Sequence, residues 1–329
     1  MYYISITKED WHRSLEILLT SHDIFVPVKD EFSLDYEPFR LSQAENIAYN
    51  TPKPATPLKN FFLPVRENVT SVRNDGRPRI IIGAPNCDVE ALRLLDEIYL
   101  DEAFTDPFYR NRRKSTILVS SDCFSVNDHC HCTSYGIKPF TLEGADIALL
   151  SEGDDIFLRV ISDKGEALVR QLSFVAGVND PERLLFADQR HSETEALLAE
   201  LNRGLPDYKA TGELIQGAGD HIWVKYASKC VSCGACTTIC PTCSCFLLID
   251  KPDFEKVKQM DACQYPGFER VAGGEDALFE LPHRFRNRYM CKYVWRPQKF
   301  NSLACTGCGR CIEACIGKIS KNELFMELT

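Results

Sequence analysis

Neither a G-x-G-x-x-G nor a G-x-x-x-x-G-K-S/T run occurs in the 329 residues. The glycine-rich turns that cradle dinucleotide and triphosphate groups are therefore missing, and nucleotide binding has no support in this chain. No apolar run approaches the ~20 residues that a membrane span requires. The opening MYYISITKEDW has no basic stretch followed by an apolar core, so a secretory signal is not expected. Basic residues are in short supply: 38 Lys and Arg against 47 Asp and Glu give a net charge of −9, which argues against the basic face that phosphate neutralisation needs. These shortages lead to the expectation of a cytoplasmic protein that binds neither nucleic acid nor membrane. Hydrophobic content of 44% with 26% charged residues is ordinary for a globular protein, and the length allows two domains.

Cysteine, by contrast, is abundant. Sixteen cysteines without an export signal point to reduced thiols and metal work rather than a disulfide scaffold. Cys230, Cys233, Cys236 and Cys240, followed by Pro241, spell C-x2-C-x2-C-x3-C-P, and Cys305, Cys308, Cys311 and Cys315 repeat the spacing. Three thiolates on a tight loop can reach three irons of one cubane, while the fourth points away and serves the other cluster. The spacing thus predicts two 4Fe–4S clusters: cluster A on Cys230, Cys233, Cys236 and Cys315, and cluster B on Cys240, Cys305, Cys308 and Cys311. Zinc is the competing assignment, but structural zinc takes two separated C-x2-C pairs, which leaves the close triplets unexplained.

Along the rest of the chain, Thr7 is a candidate cap for a helix that places Trp11, Leu15 and Leu18 on one face. Ile24 to Val28 reads as a strand, and the proline-punctuated stretch from Asp35 to Pro64 as an extended crossing segment anchored by Phe61, Phe62 and Leu63. Arg79 to Gly83, Thr116 to Ser120, Ile147 to Leu150 and Ile156 to Ile161 read as strands. Helices are expected after Asp88 as a cap, over Gly165 to Leu172 and over Pro181 to Leu201. This alternation predicts an α/β or α+β domain with a partly parallel sheet over residues 1–215. A linker at Gly204 to Gly219 leads into a two-cluster, ferredoxin-like domain at 216–329, whose long insertion between Cys240 and Cys305 reads as largely helical. Aromatics from Phe279 to Trp295 suit a dry shell around the clusters. Arg284, Arg286, Arg288 and Lys292 read as a solvated face or as counter-charge for anionic clusters, in preference to an RNA-binding patch.

Eight cysteines lie outside the two motifs. Cys87 follows the strand RIIIG, and Cys123 follows TILVS; if those strands are parallel neighbours, both thiols emerge at one sheet edge, where α/β proteins place their sites. Cys130 and Cys132 follow in the same loop. Cys87, Cys123, Cys130 and Cys132 are therefore candidate ligands of a third metal site, a 4Fe–4S cluster in preference to zinc, set against four ordinary buried thiols. His129 and His131 read as exposed loop residues. Cys243, Cys245, Cys263 and Cys291 read as small apolar groups packed near cluster A in preference to a further cluster.

CVSCGACTTICPTCSCF, DACQYPGF and CTGCGRCIEAC, together with KNFFLPVRE, LRLLDEIYL, DPFYRNRR and CFSVNDHCHCTSYG, resemble the β subunits of cytosolic NAD(P)-linked NiFe hydrogenases (sulfhydrogenases) and the related 4Fe–4S dicluster proteins of anaerobic sulfite reductase. The chain departs from that pattern at Cys315-Ile316, where Cys-Pro is usual, and at Cys291, where His is common. The resemblance implies an electron-transfer subunit with no catalytic residues of its own. Its implied partners are a flavoprotein carrying FAD and a 2Fe–2S cluster, which exchanges hydride with NAD(P), and a catalytic subunit of hydrogenase, sulfite reductase or heterodisulfide-reductase-like type. The rival readings are a reductase acting directly at the N-terminal cysteine site and a zinc-stabilised interaction module.

Overall fold

The computed structural model describes residues 3–70, 76–173, 175–177, 184–302 and 304–329. Its strands in chain order are β1 (Tyr3–Thr7), β2 (Asp23–Lys29), β3 (Leu34–Pro38), β4 (Arg66–Asn68), β5 (Arg79–Ala84), β6 (Thr116–Ser121), β7 (Ile147–Glu152), β8 (Asp155–Val160), β9 (Ala176–Gly177), β10 (Phe246–Asp250) and β11 (Lys256–Met260). The helices are α1 (Lys8–Leu18), α2 (Asn86–Tyr99), α3 (Pro107–Ser115), α4 (Asp163–Val169), α5 (Leu185–Leu201), α6 (Tyr208–Gly217), α7 (Asp220–Ala227), α8 (Ala235–Thr238), α9 (Leu281–Met290), α10 (Arg296–Phe300), α11 (Arg310–Glu313) and α12 (Lys321–Leu328).

The main sheet runs β3-β2-β5-β6-β7-β8-β1-β9. Its centre, β2, β5, β6 and β7, is parallel, and its flanks are antiparallel. After Arg79 the run IIIGA is apolar throughout because both faces of β5 are covered. Ile80 and Ile82 pack with Trp11, Leu15 and Leu18 of α1 and Leu168 of α4. Ile81 and Ala84 pack on the other face with Val89, Leu92 and Leu95 of α2. Alternate side chains of a strand point to opposite faces, so a strand buried on both sides loses its polar alternation. Thr7 caps α1 as expected, its hydroxyl accepting from the Asp10 amide at 3.1 Å.

Several expectations are corrected. Asp88 is not the cap of its helix: Pro85 occupies that position, and Cys87 and Asp88 fall inside the first turn of α2. The Asp35 to Pro64 stretch is not wholly irregular, since it contributes β3 and two short 3-10 turns, while Phe62 and Leu63 are the buried anchors. The supposed linker at 204–219 contains α6, whose Gly212 hid it; a Cβ there would lie 2.7 Å from the Tyr293 carbonyl oxygen, so the helix needs glycine for close packing despite its poor propensity. The helix expected over Pro181 to Leu201 is present from Leu185, and residues 181–183 lie outside those described.

The insertion is not simply helical either. Its β10 and β11 form a hairpin that pairs with β4 from the N-terminal half, Val257 opposite Asn68. Such a pairing across some 190 positions leaves no local trace in sequence. The rest of the insertion is α9, a π-helical turn at Cys291–Trp295, and α10. Around them Trp223, Phe285, Tyr289, Tyr293 and Phe325 form a second core; of the stretch expected to form a dry shell, Phe285, Tyr289 and Tyr293 are buried, while Phe279 and Trp295 at its ends are exposed.

Candidate metal centres

Because β5 and β6 are parallel neighbours, with Ala84 opposite Ser120, their C-terminal ends open on one edge. Chain continuity then places Cys87, in the first turn of α2, beside Cys123, two residues past β6. The loop that follows folds back through a hydrogen bond from the Cys123 amide to the Pro139 carbonyl, at 2.8 Å. As a result Cys87, Cys123, Cys130 and Cys132 line one cavity. The two ferredoxin-type motifs surround two more. One is lined by Cys230, Cys233, Cys236, Cys311 and Cys315, the other by Cys240, Cys305, Cys308 and Cys311. Cys315 thus lies with the first triplet and Cys240 with the second, the exchange expected from the spacing.

The cavities form a row. Cys311, Arg288 and Lys321 line both the first and the middle cavity, and Cys308 lines both the middle and the N-terminal one. Among the described residues, no group of three or more His, Cys, Asp or Glu side chains is placed to hold a single metal ion. The thiols line three cavities instead, and close-run cysteine triplets of this kind are ligands of polynuclear clusters.

The seam between the two ends of the row is made by Arg310, which sits between Cys308 and Cys311. Its guanidinium makes a bidentate pair with Asp88, Nη1 to Oδ1 at 2.6 Å and Nη2 to Oδ2 at 2.8 Å, and both side chains are essentially inaccessible. The remaining Arg310 donors meet the Pro54 carbonyl, and Asp88 also accepts from the Leu58 amide. A buried ion pair persists only when its other donors and acceptors are satisfied in this way. Two glycines complete the seam. Gly307 and Gly309 have φ of +64° and +79°, and a Cβ on either would lie 2.4 Å from the His131 carbonyl oxygen or 2.3 Å from that of His129. The His131 amide in turn donates to the Gly307 carbonyl at 2.9 Å. Contrary to expectation, His131 is buried; burial, together with nearby Lys321, holds its pKa well below the usual imidazole value.

Thiol acidity differs along the row. Burial pushes Cys87 and Cys123 well above the ordinary thiol value and Cys132 up to about 12. Burial also raises Cys236 to about 11 and Cys308 to about 12. Two thiols of the middle cavity go the other way. Cys240 is held well below the ordinary value by a hydrogen bond with Cys243, against the effect of burial, with help from Lys292 and Lys59. For Cys305, burial is outweighed by the ammonium groups of Lys321 and Lys292.

Of the buried cations near these thiols, the sequence pointed only to Lys292 and Arg288, within the basic segment. Lys59, Lys292, Lys321, Arg288 and Arg310 are all buried. Arg284, Arg288 and Lys292 recur every four residues, which puts them on one helix face; that period was the available signal. Their burial rules out a solvated face and leaves counter-charge. Among the described residues no carboxylate lines the first or the middle cavity, so the cations there have only thiols and neutral acceptors for company. Buried cations without carboxylates are costly unless an anion sits among them, and a thiolate-ligated iron–sulfur cluster is such an anion. The residues therefore fit 4Fe–4S groups.

The remaining cysteines, Cys243, Cys245, Cys263 and Cys291, line none of the three cavities. Cys243 lies against Cys240. Cys245 and Cys263 are hydrogen-bonded to each other, and Cys263 also meets Thr237 and Gln264. Cys263 thus packs near the first cavity as expected, whereas Cys243 adjoins the middle one.

Comparison with known proteins agrees with this geometry. Residues 229–319 match the family described as a 4Fe–4S dicluster domain. Over 343 aligned residues the chain is 29% identical to sulfhydrogenase 2 subunit beta of Pyrococcus furiosus, an alignment spanning 100% of this chain and 98% of that relative. The chain thus matches a 4Fe–4S dicluster domain over residues 229–319 and is similar along its whole length to a hydrogenase β subunit.

Proposed function

We propose that this full-length relative of a sulfhydrogenase β subunit is the iron–sulfur wire of a multisubunit oxidoreductase. It would relay single electrons between a FAD and 2Fe–2S flavoprotein linked to NAD(P) and a catalytic subunit of hydrogenase, sulfite reductase or heterodisulfide-reductase-like type. The observation that carries this reading is the row of three thiol-lined cavities, each sharing a lining cysteine with the next. On this reading Cys230, Cys233, Cys236 and Cys315 hold one cluster, Cys240, Cys305, Cys308 and Cys311 a second, and Cys87, Cys123, Cys130 and Cys132 a third. A 4Fe–4S cluster supplies reversible one-electron chemistry when bound.

The chain's own residues hold, insulate and compensate. Trp223, Phe285, Tyr289 and Tyr293 keep the C-terminal sites dry, and Lys292, Lys321 and Arg288 balance thiolate charge. We divide the labour at residue 215, with the third site in 1–215 and the dicluster pair in 216–329; α6 lies at this join, its Ile215 packed into the second core. No helix among the described residues is long and apolar enough to cross a membrane, and sixteen unbridged cysteines suit a reducing cytoplasm.

Iron and acid-labile sulfide in anaerobically prepared protein should come to about twelve of each per chain, falling to about eight when Cys130 and Cys132 are both replaced by Ser. The isolated chain in its oxidised state should be reducible by dithionite yet fail to oxidise NADH or NADPH, since it has no hydride-accepting site. About eight irons, unchanged by the double replacement, would remove the third cluster, and zinc in place of iron would remove the wire.

A further inference from the structure

The charges around the three cavities are not balanced alike. At the N-terminal cavity, Lys53 Nζ lies 3.8 Å from Cys130 Sγ but also 2.7 Å from a Glu313 carboxylate oxygen. Arg310, at the seam, has its charge met by Asp88. At the middle cavity, Lys292 Nζ lies 3.1 Å from Cys240 Sγ, and its other two contacts are neutral: the Thr242 hydroxyl at 2.7 Å and the Ala304 carbonyl at 3.0 Å. The Thr242 hydroxyl donates in turn to the same Ala304 carbonyl, at 2.8 Å, and so has a lone pair free to accept from the ammonium. Lys292 is 3% exposed and stands in the π-helical turn Cys291–Trp295, a local widening of the helix of the kind that recurs at functional sites. Lys321 and Arg288 line this cavity and the first alike, with no carboxylate among the described lining residues of either, so it is Lys292 that sets the middle cavity apart.

We propose that Lys292, aimed at Cys240 Sγ by Thr242 and Ala304, raises the reduction potential at the middle cavity and makes it the electron sink of the row. The proposal rests on the reading that this cavity holds a 4Fe–4S cluster. A hydrogen bond to a ligating sulfur and a nearby unbalanced positive charge both favour the state with one more electron. Uptake of that electron makes and breaks no bond, and in the test dithionite supplies it. Electrons entering at either end of the row would come to rest first in the middle.

The test is an anaerobic potentiometric titration of the full chain with dithionite, followed by electron paramagnetic resonance, with the middle signal identified as the one altered by Cys305→Ser. In the unmodified protein that signal should appear first as the potential is lowered. Lys292→Met should lower its reduction equilibrium constant at least tenfold, about 59 mV for a one-electron couple, and leave the other two signals in place. Lys292→Arg, which keeps the charge, should retain most of the potential. If Lys292→Met loses iron, the order of reduction in the unmodified protein decides: a middle signal that is not the first to appear overturns the proposal. A normal iron content with an unmoved middle potential in Lys292→Met overturns it too. An iron content insensitive to both Cys305→Ser and Cys308→Ser would instead defeat the underlying reading that a cluster is held there.

Discussion

The N-terminal cavity and the dicluster pair gather thiols to the same end by opposite routes. In the dicluster pair, eight cysteines come from two short runs, and the buried cations that line their cavities, Arg288, Lys292 and Lys321, have no carboxylate among the described lining residues. In the N-terminal cavity, four cysteines come from two strand ends and a loop, and its cation Lys53 has Glu313 as partner. In the first arrangement burial still raises Cys236 and Cys308, but Cys240 is held down by its hydrogen bond with Cys243 and Cys305 by nearby ammonium groups; in the second, burial dominates at Cys87, Cys123 and Cys132, and all three rise. The contrast teaches that a dense motif specifies ligands locally but needs distant side chains to set its charge, whereas a dispersed site needs the sheet even to exist.

The strongest way to break this contrast is to cut the pair that joins the two regions. Asp88→Asn leaves the Arg310 guanidinium buried without its counter-charge and should cost about 3–5 kcal/mol of stability. Denaturant unfolding of anaerobic protein would measure the loss, and the signals of the clusters proposed for the middle and N-terminal cavities should be disturbed ahead of the Cys230 one. Stability unchanged by this substitution would mean the seam is not what ties the regions together.

A smaller effect is expected from Gly309→Ala, which puts a Cβ against the His129 carbonyl at a positive φ. A penalty of about 1–3 kcal/mol should follow. It should appear as a lower thermal midpoint, together with a changed spectrum for the cluster proposed at the N-terminal cavity; a shift in the Cys230 signal alone would place the strain on the wrong side of the seam. The smallest effect sharpens the contrast by sparing both regions. Thr7→Ala removes the cap of α1, on the far side of the sheet, and should cost about 1 kcal/mol while every cluster signal stays where it was. A cluster signal that moved would show the sites to be coupled to the whole sheet rather than to their own edge.

Much of this was legible residue by residue. The strands from Arg79 and Thr116, the Thr7 cap, and the grouping of Cys240 with Cys308 all follow from periodicities of two and 3.6 or from loop spacing, which are local properties of a chain. The convergence of Cys87 and Cys123 needed one further assumption, that two strands are parallel neighbours, and the register bears that out. Asp88 shows where such reasoning stops. Read locally it is a helix cap; in the structure it is the counter-charge of an arginine 222 positions away.

By itself, then, the sequence determined which thiols could share a cluster, the strand and helix periods, and the absence of a nucleotide-binding turn, because each depends on neighbours within a few residues. The tertiary structure alone decided the pairing of Arg310 with Asp88, the docking of β4 on β11, and the burial of Lys292 against Cys240. Those contacts join segments far apart in the chain, and their energies come from desolvation and complementary charge, quantities that exist only once the segments have met.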